Sequence, residues 1–89
     1  MTNAIRQRCI DESGDVDLMF FDGFDDAIVG ICHANGKKTC VVYDERRCID
    51  ILMETMGLDT DSAIEFFQRD LTSRYLGPQT PVFLIRLTE

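Results

Sequence analysis

The 89-residue sequence lacks several features that would indicate a particular class of protein. It contains no tryptophan and a single histidine, and it has no Gly-rich phosphate-binding loop. It has no run of about twenty apolar residues. It also lacks the charged start, apolar core and small-residue cleavage site of a signal peptide. We therefore expect a soluble protein that remains in the cytoplasm.

Catalytic groups are scarce as well. Nucleophilic catalysis would require Cys32 or Cys40 near His33, together with a third group that orients the histidine. An Asn-Gly turn beside His33 favours an exposed position at a hairpin tip instead. We expect no enzymatic activity, no resident cofactor and no metal.

The four cysteines form no CxxC pair. Cys32 and Cys40 lie on opposite arms of a predicted hairpin, so a disulfide or a shared metal there is geometrically conceivable. Side chains alternate along a strand, which points His33 away from Cys32 and disfavours joint ligation of one ion. We expect reduced and mostly buried thiols, and the pairing of Cys32 with Cys40 stays open.

Lysine and arginine are absent from residues 9–36, and this segment carries seven acids that equal the net charge of −7. The other nine acids are balanced by nine bases. An acidic segment repels nucleic acid phosphates, so direct DNA or RNA binding is not expected. A solvated loop is the ordinary explanation, and a contact with a basic partner protein is the functional one.

Within this segment, residues 20–26 place three aromatic and three acidic side chains around Gly23. The pattern does not match a calcium loop, which needs acids at alternate positions and a later bidentate Glu. One interpretation is a bend in which Phe24 reaches the core. The other is an aromatic and acidic contact patch. The predicted partner-binding residues are Asp22, Phe24, Asp25 and Asp26.

Two amphipathic helices are predicted in the second half of the chain. The first spans about residues 45–56, where Asp44 is the expected N-cap and Gly57 the expected end. The second spans about residues 61–75 and has Thr60 as its expected N-cap. Its predicted buried stripe consists of Ile64, Phe67, Leu71 and Tyr75.

The same patterns predict a small antiparallel sheet. A hairpin over about residues 27–43 turns at Asn35-Gly36, and a C-terminal strand spans about residues 82–87. Residues 5–10 and 16–21 are weaker strand candidates. The expected fold is a single α+β domain with both helices on one face of the sheet. Residues 1–17 form a flexible or peripheral extension in this interpretation.

Three segments together resemble a group of small uncharacterised proteins of tailed phages and prophages. They are FDGFDDAIVGI, VVYDERRCIDILMETMGLDTDSAIEFF and YLGPQTPVFL, and the resemblance covers roughly residues 20–85. It implies a phage or bacterial cytoplasmic origin, and it implies no reaction, ligand or catalytic residue.

Our preferred functional hypothesis is a non-catalytic accessory factor that binds and modulates a host protein with a basic surface. A sharper version is a mimic of nucleic acid. The alternative is a small-molecule or metal-binding regulatory module, or a minor enzyme, that uses the Asp22, Asp25, Asp26 and His33 region. No membrane partner is expected. Self-association into a homodimer is a further hypothesis, based on four apolar residues beyond the predicted buried stripes: Phe20, Phe21, Met53 and Phe66.

Overall fold

The computed structural model describes residues 4–33 and 38–88. These residues form a mixed α+β fold with three α-helices, a short 3₁₀ turn and three strands. In chain order the elements are α1 (Ala4–Ser13), the 3₁₀ turn (Asp25–Ala27), β1 (Ile28–Cys32), β2 (Cys40–Asp44), α2 (Glu45–Met56), α3 (Thr60–Asp70) and β3 (Val82–Leu84). None of the helices in these ranges is long and apolar enough to cross a membrane.

The three described strands form one sheet in the order β1-β2-β3. The predicted antiparallel pairing of β1 with β2 is confirmed, and its register places Cys32 opposite Cys40. The predicted turn at Asn35-Gly36 lies outside the described residues. β3 is shorter than predicted and runs parallel to β2, so the sheet is mixed rather than antiparallel. The two intervening helices return the chain to the starting end of β2, as a crossover between parallel strands requires.

Both predicted ends of α2 are confirmed. The Asp44 side chain accepts a hydrogen bond from the backbone amide of Arg47 at 3.3 Å, which satisfies one of the free amides of the first turn. Gly57 adopts a left-handed conformation with φ 65°, and its amide donates to the carbonyl of Met53. A residue without a Cβ adopts this conformation at little cost, and the helix ends there.

Both predicted ends of α3 differ from those observed. Asp59 rather than Thr60 caps the helix, because its carboxylate accepts from the Ser62 amide at 2.8 Å. The helix ends at Asp70, five residues before the predicted end, and Tyr75 is 77% exposed instead of belonging to the buried stripe.

Side chains after Asp70 satisfy the carbonyls that a longer helix would have used. The Thr72 hydroxyl donates to the carbonyl of Gln68 at 3.0 Å, and the Arg74 guanidinium donates to that of Asp70 at 3.0 Å. These local hydrogen bonds compete with helix continuation.

The prediction of a strand at residues 5–10 is wrong, because this segment lies within α1. Cys9 is buried in the core, and Ile5 and Ile10 pack against it. The helix ends where Gly14 adopts φ 71° and its amide donates to the Ile10 carbonyl at 2.8 Å. Within the predicted extension at residues 1–17, this helix therefore supplies core contacts.

The prediction of a strand at residues 16–21 is also wrong. The Asp17 amide donates to the Asp15 carboxylate at 2.8 Å. This local hydrogen bond forms a turn, so the chain does not continue as an extended strand. Leu18 is buried in the core, and the Phe21 amide donates to the Tyr43 hydroxyl at 2.8 Å instead of joining a sheet.

The core lies between the sheet and the helices, and Tyr43 is at its centre. Its side chain is fully buried, and its ring centroid lies 5.7 Å from that of Phe21 and 6.0 Å from that of Phe83. Phe83 in turn contacts Phe67 of α3 edge-on at 4.8 Å between centroids. These aromatic contacts join the segment before the sheet, the sheet itself and α3.

Replacing Tyr43 with Phe should lower the free energy of unfolding by about 1–2 kcal/mol, because the partly buried Phe21 amide loses its acceptor. Urea denaturation followed by circular dichroism measures the change. Tyr75→Phe is the matched control, since Tyr75 is exposed, and its effect should be within about 0.5 kcal/mol. Equal effects of the two substitutions would contradict a structural role for the Tyr43 hydroxyl.

Stability should fall at alkaline pH. Burial raises the pKa of Tyr43 from 10.0 to about 12 and the pKa of Cys48 from 9.0 to about 12. The folded chain therefore retains protons that the unfolded chain releases. This stabilisation is complete below pH 9 and is lost as the pH rises towards 12.

Urea midpoints measured between pH 8 and pH 12 test this expectation. The Tyr43→Phe variant should show a shallower loss between pH 10 and 12, because the tyrosine no longer contributes there. A pH dependence identical to that of the unsubstituted chain would exclude the contribution of Tyr43.

Candidate functional site

Three of the four predicted partner-binding residues, Asp22, Asp25 and Asp26, line a shallow concave surface. We name it the acidic depression; its volume is about 390 Å³ and it is lined by Arg6, Asp22, Gly23, Asp25 and Asp26. The fold brings Arg6 of α1 to the bend that precedes β1. No local pattern in the sequence predicts this long-range contact between a basic helix residue and the acidic segment.

Asp25 has a structural role in the depression. Arg6 Nε donates to both of its carboxylate oxygens, at 2.9 and 3.0 Å, and the two side chains are only 22% and 24% exposed. Desolvation lowers the pKa of Arg6, but the hydrogen bonds from Arg6 to Asp25 and Asp22 outweigh it, and the pKa is raised. This ion pair attaches α1 to the 3₁₀ turn.

The other predicted residues divide into outward and inward side chains. Asp22 also contacts Arg6, at 3.2 Å, but its carboxylate is 98% exposed. Asp26 is 82% exposed and lies 3.9 Å from Arg47. Phe24 is partly buried and packs against the core, as the bend interpretation predicted. Asp22 and Asp26 are therefore the residues of this set that face solvent.

Of the four residues in the alternative hypothesis, Asp22, Asp25 and Asp26 line the acidic depression and His33 does not. His33 is exposed and its Nδ1 lies 2.9 Å from the Thr39 hydroxyl. Within residues 4–33 and 38–88, no three His, Cys, Asp or Glu side chains are grouped as metal ligands.

The residues considered for a homodimer contact are partly buried against the core. They are Phe20, Phe21, Met53 and Phe66. The Arg6 guanidinium lies 4.9 Å from the centre of the Phe20 ring, and that of Arg69 lies 5.6 Å from the Phe66 ring. Intramolecular packing therefore uses much of their surface, and the homodimer stays a prediction.

A second concave surface was not predicted from the sequence. We name it the C-terminal groove; its volume is about 1060 Å³. It is lined by Asp44, Glu45, Arg46, Ile49, Thr60, Ile64, Ile85, Arg86 and Leu87. It forms where the N-terminal turns of α2 and α3 face the segment that follows β3.

Four of the nine residues that line the groove are aliphatic and four are charged. Ile49 on α2 is buried and Ile64 on α3 is partly buried, so these two residues form the floor. Ile85 and Leu87 form the opposite wall and are 65% and 92% exposed. Exposed aliphatic side chains beside a concave surface are typical of interaction sites.

An ion pair fixes this wall to the start of α2. Arg86 Nε donates to one Asp44 carboxylate oxygen at 2.8 Å, while the other oxygen accepts from the Arg47 amide. Desolvation raises the pKa of Asp44, but the hydrogen bonds from Arg86 and from the Arg47 amide outweigh it, and the pKa lies below its ordinary value. One carboxylate therefore serves both the helix cap and the groove.

The edge of β3 adjoins the groove. Val82 and Leu84 are exposed, at 42% and 41%, and they share the sheet face opposite the core-facing Phe83. In the described ranges β3 pairs with β2 on one side only, so its other edge carries backbone groups without a strand partner.

Comparisons with protein families, with curated proteins and with solved structures gave no match.

Removing the Asp25 charge should destabilise the fold more than removing that of Asp22. Asp25→Asn should lower the free energy of unfolding by about 1–2 kcal/mol, since it leaves the partly buried Arg6 without its main partner. Asp22→Asn should cost about 0–0.5 kcal/mol, because that pair is solvent-exposed. Urea denaturation measures both. Similar small losses would mean that the Arg6 and Asp25 pair acts as an ordinary surface pair.

Proposed function

We propose that this chain is a non-catalytic accessory factor that binds a partner protein with a basic surface. In the phage or bacterial setting implied by the sequence resemblance, this partner is a host protein in the cytoplasm. The observation that carries the proposal is the strip of exposed aliphatic side chains along β3 and the C-terminal groove. It consists of Val82, Leu84, Ile85 and Leu87.

The position of this strip favours a protein ligand. An extended segment of a partner can add to the free edge of β3 through backbone hydrogen bonds, a common mode of peptide recognition. The aliphatic residues of the C-terminal groove line a surface beside the segment that directly follows β3. Burial of the exposed strip contributes roughly 25 cal/mol for each Å² of apolar surface removed from water.

The charge of the chain favours a basic partner. The net charge is −7, and the exposed carboxylates of Asp22 and Asp26 lie around the acidic depression. Complementary charge accelerates association and disfavours acidic competitors, and it acts less at high salt. The acidic depression therefore steers the encounter in this proposal, and the apolar strip supplies most of the contact.

Affinity capture from bacterial lysate at low and high salt tests the proposal, with matched variants as bait. Ile85→Asp and Leu87→Asp together should abolish capture of the specific partner, because they place charges on the apolar wall. Val16→Asp is the control, since Val16 is also an exposed aliphatic residue and lies outside the groove.

Reversing the charge of exposed acids tests whether the acidic depression accelerates association with the partner. Asp22→Lys with Asp26→Lys should slow association with the purified partner about tenfold or more at low salt and much less at high salt. The control pair Asp61→Lys and Glu65→Lys reverses two exposed acids of α3 outside the depression and should have a smaller effect. A partner retained equally by all variants, or no specific partner at either salt, would overturn the proposal.

A further inference from the structure

The facing cysteines of the hairpin are the basis of a second inference, independent of the proposed binding function. Cys32 of β1 and Cys40 of β2 are direct partners in the antiparallel register. Directly opposed residues in such a pair have Cα atoms about 4.5–5.5 Å apart and side chains on the same face. This separation lies inside the range of about 4.4–6.8 Å that a disulfide requires.

The thiols of Cys32 and Cys40 are more accessible than those of Cys9 and Cys48. Cys32 and Cys40 are partly exposed, and all four cysteines carry thiols in the structure. Cys9 and Cys48 are buried in the core at 4% and 0% exposure. Burial raises the pKa of both buried thiols, and for Cys48 to about 12, which keeps them protonated and unreactive at neutral pH.

We propose that Cys32 and Cys40 are a reversible redox pair that forms a disulfide across the β1–β2 hairpin. The oxidant is a low-molecular-weight disulfide. One cysteine thiolate attacks a sulfur of the oxidant and displaces one small thiolate. The second cysteine thiolate then attacks the mixed disulfide and displaces the other. Two protein thiols and one small disulfide thus yield one protein disulfide and two small thiols.

The surroundings of Cys40 indicate what the reaction changes. Its thiol donates to the carbonyls of Lys38 and Pro78, with S···O distances of 3.6 and 3.7 Å. Oxidation removes this donor and links β1 covalently to β2. Pro78 precedes Gln79, whose buried side chain donates to the Thr39 carbonyl beside Cys40. Oxidation of Cys40 therefore changes a contact between the hairpin and the loop that leads into β3.

Titration of the reduced chain with oxidised and reduced glutathione, followed by acid quenching and mass spectrometry, tests the pair. The intact mass should decrease by two hydrogen atoms while the chain stays monomeric. Digestion with trypsin and Asp-N separates the cysteines, since acids lie between Cys9 and Cys32 and lysines between Cys32 and Cys40. The linked peptides should contain Cys32 and Cys40, and Cys9 and Cys48 should be alkylated after denaturation.

A single substitution distinguishes the pair from ordinary surface thiols. In Cys32→Ser, the mixed disulfide at Cys40 has no second thiolate to resolve it, so a glutathione adduct should accumulate. The unsubstituted chain should reach half-oxidation at an oxidant concentration about tenfold or more lower, because its second step is intramolecular.

Stable glutathione adducts on both cysteines of the unsubstituted chain would overturn the inference. So would disulfide-linked dimers, or a linkage that includes Cys9 or Cys48. Because these readouts do not involve the C-terminal groove or a partner, their failure is independent of the proposed function.

Discussion

Burial of the Tyr43 side chain is the constraint on which the rest of the fold depends. Its ring lies against Phe21 and Phe83, so two distant parts of the chain pack on one residue of the central strand. Burying its hydroxyl without a hydrogen-bond partner would be costly. The hydroxyl accepts a hydrogen bond from the Phe21 amide. Irregular backbone before β1 is therefore held in place by a side chain of β2. Phe83 extends the same contact to Phe67 and attaches α3.

Local signals in the sequence were sufficient for α2 and for the hairpin. Asp44 and Gly57 occupy the expected caps because capping depends on a few adjacent residues. The apolar runs on either side of Asn35-Gly36 likewise indicated β1 and β2. The direction of β3 was not predictable in this way. Its pairing depends on where two helices deliver the chain, and no residue within Val82–Leu84 encodes that.

The N-terminal third differs from the prediction because long-range contacts determine its structure. Residues 4–13 have weak helical patterning, and the helix is stabilised by Cys9 in the core and by Arg6 bound to Asp25. Gln79 shows the same effect. Its amide is buried and donates to the carboxylate of Asp15, 64 residues earlier in the chain. Such pairs of polar residues have no local sequence signature.

The candidate site also has one part that the sequence predicts and one part that only the assembled fold shows. An excess of acids over bases is visible in the sequence, and Asp22 and Asp26 do face solvent. The sequence could not separate them from Asp25, whose charge is neutralised by Arg6. The C-terminal groove arises only when α2, α3 and the segment after β3 are assembled, so no local pattern in the sequence predicts it.

The parallel pairing of β3 also determines the order in which the chain can fold. Val42 and Val82 are partners although forty residues separate them, so this contact closes a much longer loop than the hairpin does. Contacts of this range form slowly and late compared with helices and hairpins. During synthesis on the ribosome, α2 and the hairpin can form while Phe83 has not yet emerged. Until it docks, the faces of Tyr43 and Phe67 that it covers remain in water, and the nascent chain is most prone to aggregation in that interval.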